Sequence, residues 1–270
     1  MVEAEWLISL CQMDIAVGNP TVNLTTAHRM VEEASRRGSR MVVLPELWST
    51  GYNLPEIGEM AEREQAGWLK QVSGWAREFG LYLYAGSLAE REGSQTYNTS
   101  RLFGPDGREL AAYRKIHRVP MLDEEKYLAA GDRGVVCPVA PLPLGMLICY
   151  DLRFPELARL LVLGGARLLV VPAEWPAART GHWRTLLQSR AIENQCYVAG
   201  VNRIGSSNGV LFGGHSALID PWGQRVGEAG EYAVILTLPV RPAVVDEVRR
   251  QVPALQNRVP EAYRIDTYTD

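Results

Sequence analysis

The stretch that decides the fold is "LGMLICYDLRFPEL", residues 144–157. Its first half is an apolar run typical of a buried strand. The segment 154–166 that follows has the spacing of a helix, with Pro155 in the first turn and glycines at 164 and 165 where the helix stops. Cys149 therefore lies where a strand passes into a helix. Ligands bind at this edge of α/β sheets, which favours a functional thiol, although a buried cysteine is also an ordinary core residue.

Strand-like and helix-like segments alternate on both sides of this stretch. The patterns predict strands at 6–15, 39–47, 81–90, 166–175 and 196–205, and helices at 21–38, 66–80 and 182–195. Hairpins are predicted over 96–117 and 214–240, with turns at 105–107 and 221–223, and a final helix is broken by Pro253. Because hairpins occur beside strand–helix–strand units, we expect mixed sheets, and this length suits two sheets covered by helices.

Composition narrows the classes of function. The chain has 270 residues, 47% of them hydrophobic, and a net charge of −3, which favours neither a nucleic-acid nor a membrane partner. Its four cysteines are widely spaced and no basic leader precedes an apolar run, so we expect a cytoplasmic protein without disulfides. No metal-ligand spacing and no glycine-rich phosphate loop is present, so neither a metal nor another cofactor is expected.

Three apolar runs end in an ionisable residue. They are "VVLPE" at Glu46, "LAAYRK" at Lys115 and "GMLIC" at Cys149. Taken singly, each has a structural explanation: a solvated strand end, a surface charge and a core cysteine. Taken together, they predict a carboxylate, an ammonium and a thiol delivered to one edge of the sheets.

The chemistry of such a cluster is that of acyl transfer. A thiol attacks only once it loses its proton. A neighbouring ammonium favours this loss by lowering the thiol pKa, and a general base can accept the proton. We assign the base to Glu46. Lys115 and the backbone N–H of Tyr150 are expected to stabilise the negative oxygen of a tetrahedral intermediate.

A cysteine–histidine dyad is the competing arrangement. His117 lies two residues beyond Lys115, so on a continuing strand the two side chains would share a face and His117 could serve Cys149. His28 falls within an amphipathic helix. His182 and His215 are interpreted as buried hydrogen-bonding residues.

The motifs "LPELWSTGY", "YRKIH" and "ICYDLRFPEL" resemble those of the carbon–nitrogen hydrolase (nitrilase) superfamily, in the order of its Glu–Lys–Cys triad. The likeness extends over nearly the whole chain. It implies a nitrilase-like α-β-β-α sandwich, two mixed sheets flanked by helices, formed as one domain by residues 1–270. It also implies a homodimer or higher homo-oligomer, with the C-terminal helix and tail at 243–270 contributing to dimer contacts, and a thioester intermediate hydrolysed by water. The family's second glutamate aligns with Glu124 rather than Glu125.

Within the family, "CYDLRFPEL", "AEWP" and "DEVRRQVPALQNR" are most similar to the ω-amidase group, which acts on monoamides of short dicarboxylic acids such as 2-oxoglutaramate. Arg153 is a candidate for binding the remote carboxylate, with a salt bridge to Asp151 or Glu156 as the structural alternative. The substrate pocket is expected to be lined by Tyr52, Tyr150, Arg153, Glu174 and Trp175. Glu174 replaces a residue of the small–aromatic pair of some relatives, which affects substrate choice.

Two sister activities of the same superfamily remain open at this point: deaminated-glutathione amidase and N-carbamoyl-amide hydrolase. A true nitrilase is disfavoured because long family nitrilases have extra C-terminal length. From a different class, the alternative is a non-catalytic scaffold with this fold, and the complete triad argues against it.

Overall fold

The structure, a computed structural model, describes residues 6–265. It contains two six-stranded mixed sheets that face each other, with helices on the outer side of each. The predicted α-β-β-α sandwich is therefore confirmed. Residues 266–270 of the predicted C-terminal tail lie outside the described residues.

The first sheet has the strand order β14-β1-β2-β3-β4-β5, and the second β13-β12-β9-β8-β7-β6. The strands are β1 (Trp6–Gln12), β2 (Met41–Val43), β3 (Tyr82–Glu92), β4 (Gln95–Phe103), β5 (Glu109–Arg114), β6 (Val136–Cys137), β7 (Leu144–Met146), β8 (Leu168–Ala173), β9 (Tyr197–Asn202), β10 (Ile204–Ser207), β11 (Val210–Gly213), β12 (Ala217–Ile219), β13 (Arg225–Glu228) and β14 (Val234–Val240). Strands β10 and β11 form a separate hairpin.

The helices are α1 (Pro20–Arg36), α2 (Ile57–Phe79), α3 (Glu124–Tyr127), α4 (Pro155–Leu163), α5 (Thr180–Asn194) and α6 (Pro242–Gln251). Helix α1 begins where the Asn19 side chain accepts a hydrogen bond from the N–H of Val22, and Pro20 occupies its first position. Helix α2 ends at Gly80, whose φ of +62° requires the left-handed conformation that glycine tolerates. Helices α1 and α2 cover the first sheet, and α4 and α5 cover the second.

The centre of each sheet is parallel and mostly buried. Strands β1, β2 and β3 run parallel in the first sheet, as do β7, β8 and β9 in the second. The facing sides of the two sheets form one continuous apolar core, which includes Ile8, Tyr84, Met146 and Val170. Because parallel strands bring their carboxyl ends to one edge, residues that follow β2, β7 and β8 emerge at the same end of the sandwich.

Two predicted elements differ from the structure. Helix α2 starts at Ile57, nine residues before the predicted start, because Ile57, Met60 and Ala61 continue the buried stripe through an acidic stretch. The predicted 214–240 hairpin closes only between β12 and β13. Strand β14 instead crosses to the first sheet, where its antiparallel pairing with β1 satisfies the backbone of that strand.

Candidate active site

The side chains of the predicted triad emerge at one end of the sandwich, between the two sheets. Glu46 follows β2 and Lys115 follows β5 of the first sheet, while Cys149 follows β7 and Glu174 follows β8 of the second. All four side chains are buried, with exposures between 0% and 5%. The structure thus brings together residues separated by more than 120 positions in the chain.

Glu46 is surrounded by donors. Its Oε1 accepts hydrogen bonds from Asn98 Nδ2 and Lys115 Nζ, both at 2.9 Å, and lies 2.9 Å from the Tyr52 hydroxyl. Its Oε2 accepts from the backbone N–H of Glu174 at 2.9 Å. These contacts fix both carboxylate oxygens, which a general base requires in order to meet its proton donor in a defined geometry.

Lys115 lies between two glutamates. Its Nζ is 2.9 Å from Glu46 Oε1 and 2.8 Å from Glu124 Oε1. Burial by itself lowers the pKa of Lys115, but the negative charges of Glu124 and Glu46 outweigh burial and raise that pKa well above its usual value. The ammonium therefore stays charged throughout the physiological range.

Glu124 connects this ion pair to the backbone. Its Oε2 accepts a hydrogen bond from the N–H of Val119 at 2.8 Å, and its Oε1 lies 2.6 Å from the Tyr52 hydroxyl. Tyr52 therefore stands between the two carboxylates and donates its single proton to one of them. Burial, followed by the charge of Glu124, raises the tyrosine pKa well above its usual value, so the hydroxyl remains a donor.

Cys149 occupies the sharp turn between β7 and a short 3₁₀ helix, Cys149–Arg153. Its φ of +46° is in the left-handed region, which is uncommon for a residue with a side chain and typical of functional sites. Burial, reinforced by the negative charge of Glu46, raises the pKa of this thiol well above its usual value in spite of Lys115. The charge of Lys115 does lower the thiol pKa, as expected, but burial and Glu46 outweigh it, so the net direction is upward. The resting thiol is neutral and must lose its proton during attack.

The conformation of this turn is fixed by Asp151. Its Oδ2 accepts hydrogen bonds from the N–H of Ile148 at 2.9 Å and the Tyr113 hydroxyl at 2.7 Å. Its Oδ1 accepts from the N–H of His117 at 3.1 Å and lies 2.7 Å from His117 Nδ1. The same carboxylate therefore ties the turn of Cys149 to the segment that follows Lys115.

The histidines do not form the alternative nucleophilic site. His117 is held by Asp151, and its ring stacks on Phe154 at a centroid distance of 3.6 Å, so its described partners do not include Cys149. The interpretation of His182 as buried is wrong: it is exposed on helix α5. His215 is mostly buried, and its Nδ1 lies 3.0 Å from Glu228 Oε1.

A small cavity of about 60 Å³ adjoins the thiol. Its lining contains Cys149 and all five residues predicted to line the pocket: Tyr52, Tyr150, Arg153, Glu174 and Trp175. It shares Tyr52, Met121 and Leu122 with a wider, mainly apolar cleft of about 730 Å³. These shared residues place the cleft directly beside the cavity that contains the thiol.

Arg153 is held on aromatic rings at the wall of this cavity. Its guanidinium carbon is 4.6 Å from the centre of the Trp175 ring and 5.8 Å from that of Tyr150. Over residues 6–265 it makes no ion pair, so the alternative salt bridge to Asp151 or Glu156 is not formed. Its Nη2 lies 3.5 Å from His182 Nδ1, and stacking leaves the other donors of the guanidinium available to a carboxylate.

Three buried polar residues of the site escaped the sequence analysis. Asn98 binds Glu46, and Asn202 fixes Trp175 through its backbone N–H at 2.7 Å and its carbonyl at 3.1 Å. Arg203 pairs with Glu174 at 2.9 Å. The signal that could have revealed them is a strongly polar side chain within or just after a buried strand, where β propensity disfavours it.

Features typical of two other classes of function are absent from the part of the chain that the structure describes. Within residues 6–265, His, Cys, Asp and Glu side chains form no group of three or more that could hold a metal ion. Of the helices in that range, none combines the length and the apolar character needed to cross a membrane.

Comparisons with known proteins agree on one family. The family model "Carbon-nitrogen hydrolase" matches residues 7–250. The chain belongs to the carbon–nitrogen hydrolase family. This hydrolase is 38% identical over 262 residues to a "2-oxoglutaramate amidase" of Bacillus subtilis (strain 168), covering 96% of this chain and 100% of that protein. It is 34% identical over 255 residues to "Omega-amidase NIT2" of Homo sapiens, covering 90% and 92%.

A solved structure adds chemical information about a relative. The hydrolase superposes on an amidase from Nesterenkonia sp. AN1 with a TM-score of 0.86 and 29% identity, covering 97% of this chain and 96% of the amidase. In that structure the acetamide moiety of fluoroacetamide is covalently added at the active-site cysteine. Membership of the family makes this chain an amide-hydrolysing enzyme. The two relatives named above indicate the ω-amidase branch of that family.

Proposed function

We propose that this hydrolase converts small ω-amides of dicarboxylic acids, 2-oxoglutaramate among them, to the acid and ammonia through a thioester on Cys149. The observation that carries the proposal is the hydrogen-bonded set of Glu46, Lys115 and Glu124, whose charges all act on the Cys149 thiol. The identity to the Bacillus subtilis 2-oxoglutaramate amidase supports the choice of substrate. The cysteine adduct in the Nesterenkonia amidase supports a covalent route.

Acylation begins at the neutral thiol. Glu46 accepts the proton of Cys149 Sγ as the sulfur attacks the amide carbon, and the carbonyl oxygen takes up the electron pair. Lys115 Nζ and the N–H of Tyr150 stabilise that oxygen. When the intermediate collapses, the C–N bond breaks and Glu46 delivers the proton to the nitrogen, which leaves as ammonia.

Deacylation uses the same base. Glu46 accepts a proton from water as the water oxygen attacks the thioester carbon. The C–S bond then breaks, the acid leaves, and the proton returns from Glu46 to the sulfur of Cys149. Glu124 acts on Lys115 throughout: with Val119 and Tyr52 it fixes the position from which the ammonium meets the oxyanion.

The acidic end of the substrate is assigned to Arg153. Its stacked guanidinium offers a planar pair of donors, and a carboxylate accepts both in parallel. A neutral acyl group gains nothing from this contact. We therefore expect selection for amides that carry a remote carboxylate.

A substrate panel tests the assignment. Arg153→Ala should raise KM for 2-oxoglutaramate by roughly 10- to 100-fold, the equivalent of a charge-assisted hydrogen bond, and change KM for neutral pentanamide far less. Arg133→Ala removes an exposed arginine paired with Asp132 and serves as the control. Equal losses on both substrates would contradict a carboxylate-binding role.

The same panel separates the sister activities. It adds deaminated glutathione, an N-carbamoyl amino acid and a simple nitrile. Preference for one of these would displace the ω-amide assignment, whereas turnover of none would revive the non-catalytic scaffold.

We infer that the enzyme is a homodimer in the cytoplasm. Helices α4 and α5 expose Leu160, Leu163 and Ile192, beside an exposed Trp222, and such a patch is typical of protein interfaces. The four cysteines are free thiols, as is usual in a reducing compartment.

The assembly is measured by sedimentation. The wild type should sediment as a species of twice the 30.0 kDa chain mass, and Leu160→Asp should shift it toward the monomer because a buried charge opposes association. Leu211→Asp alters an exposed leucine on strand β11 and should leave the mass unchanged. A monomeric wild type would contradict the proposal.

A further inference from the structure

Glu174 has one oxygen that the triad does not explain. Its side chain is buried and lines the same cavity as Cys149. Oε2 accepts a hydrogen bond from Arg203 Nη1 at 2.9 Å, whereas Oε1 has no partner among residues 6–265. A buried polar atom without a partner costs free energy, and at a cavity wall a ligand is the natural source of the missing hydrogen bond.

The charges around Glu174 do not balance if every acid is ionised. The buried carboxyls Glu46, Glu124 and Glu174 face two buried cations, Lys115 and Arg203. Lys115 already serves Glu46 and Glu124. Glu174 therefore depends on Arg203 for a compensating positive charge.

Arg203 is divided between two acids. Its Nη1 contacts Glu174, and its Nη2 lies 3.0 Å from Asp14 Oδ1. Burial raises the pKa of Glu174 to about 8 against the opposing charge of Arg203, and the nearby charge of Glu46 adds to the rise. On the cavity side, the ionisable neighbours are Tyr52, Cys149, Tyr150, Arg153 and Arg179.

The position of the proton follows from these contacts. Because Oε2 accepts from Arg203, a protonated Glu174 keeps its hydrogen on Oε1. Oε1 is then a buried hydrogen-bond donor on a residue that lines the cavity. Ionisation removes this donor and adds a negative charge.

We propose that Glu174 is a specificity-determining residue, a neutral acid whose Oε1–H donates a hydrogen bond to a keto or carboxylate oxygen of the substrate acyl chain. The inference rests on the proposed function and deepens it. It makes the preference for acyl chains that carry oxygen dependent on the protonation of Glu174. An acidic substrate is favoured while Glu174 is neutral, and it is repelled once Glu174 is ionised.

The test compares matched substrates across pH. kcat/KM is measured for 2-oxoglutaramate, glutaramate and pentanamide over about three pH units centred on pH 8. The ratio of an acidic amide to pentanamide cancels ionisations of the triad that affect both. In the wild type this ratio should fall roughly 10- to 100-fold as pH rises through about 8.

Three variants assign the fall to Glu174. Glu174→Gln keeps a donor and an acceptor but cannot ionise, so its ratio should be independent of pH. Glu174→Leu has no donor, so its ratio should be low at every pH. Asp14→Asn leaves more of the Arg203 charge on Glu174, lowers the pKa of that acid and should move the fall to lower pH.

The outcomes distinguish this proposal from the proposed function. A pH-independent wild-type ratio, or a fall that persists in Glu174→Gln, overturns the role of Glu174 while the ω-amidase assignment stands. Acidic amides that are poor substrates at every pH, beside good turnover of pentanamide, overturn both.

Discussion

Replacing Cys149 with alanine is expected to lower kcat for 2-oxoglutaramate by about 10⁴-fold or more while the chain remains folded. No other described side chain next to the cavity combines a thiol with the base Glu46, so no second nucleophile can take over. The substitution removes little volume. The left-handed φ at this position is no more strained for alanine than for cysteine. Ammonia release measures the effect, and the thermal midpoint reports the fold.

The control for this prediction is another buried thiol. Cys137→Ala removes a cysteine on strand β6, outside the cavity, and should retain ammonia release close to wild type. If Cys149→Ala also released ammonia at a near-normal rate, the nucleophile would have to be sought elsewhere.

Lys115→Met is expected to lower the free energy of unfolding by about 3–5 kcal/mol and to abolish measurable turnover. The substitution leaves Glu46 and Glu124 buried without their shared cation, although their other hydrogen bonds remain. In the wild type, the raised pKa of Lys115 means that its stabilisation is complete below the unfolded value of about 10.5 and is lost only as pH rises through the folded value.

The free energy of unfolding of Lys115→Met depends on pH through the acids that have lost their cation rather than through Lys115. Without Lys115, two buried carboxylates lack their shared cation, and acid removes the negative charge that is left uncompensated. The deficit relative to wild type should therefore shrink as pH falls. Urea unfolding at several pH values measures it.

A double variant provides the control for the ion pair. Lys115→Met with Glu124→Gln removes one of the two stranded charges, and it should be more stable than the two single effects predict when added together. Strict additivity, or a deficit that grows at low pH, would show that the buried charges are not what Lys115 stabilises.

The sequence was informative where an apolar run ends in a charge. That pattern located Glu46, Lys115 and Cys149, because strands deliver the residues that follow them to a common edge of the sheet. It also placed helix α4 from the proline and glycines that bound it. The motifs around these residues then identified the four-layer sandwich.

The remaining features depend on contacts that no local pattern contains. Asp14 and Arg203 meet at 3.0 Å although 189 positions separate them, and only their meeting divides the charge that Glu174 receives. Strand β14 could pair with the open edge of either sheet. Its own residues do not specify the edge formed by β1, where it pairs. The thiol pKa likewise depended on how far burial and Glu46 outweigh Lys115, and the sequence located the two charged residues but not that balance.

Mass spectrometry of the enzyme quenched in acid during turnover is the most direct test of the account. A substrate acyl group, equal in mass to the amide less ammonia, should appear on the peptide that contains Cys149 and be absent from those with Cys11, Cys137 and Cys196. This acyl group should disappear once the substrate is exhausted at neutral pH, because water then hydrolyses the thioester. An acyl group on any other side chain, or steady ammonia release from Cys149→Ala, would contradict attack by the sulfur that Glu46 and Lys115 surround.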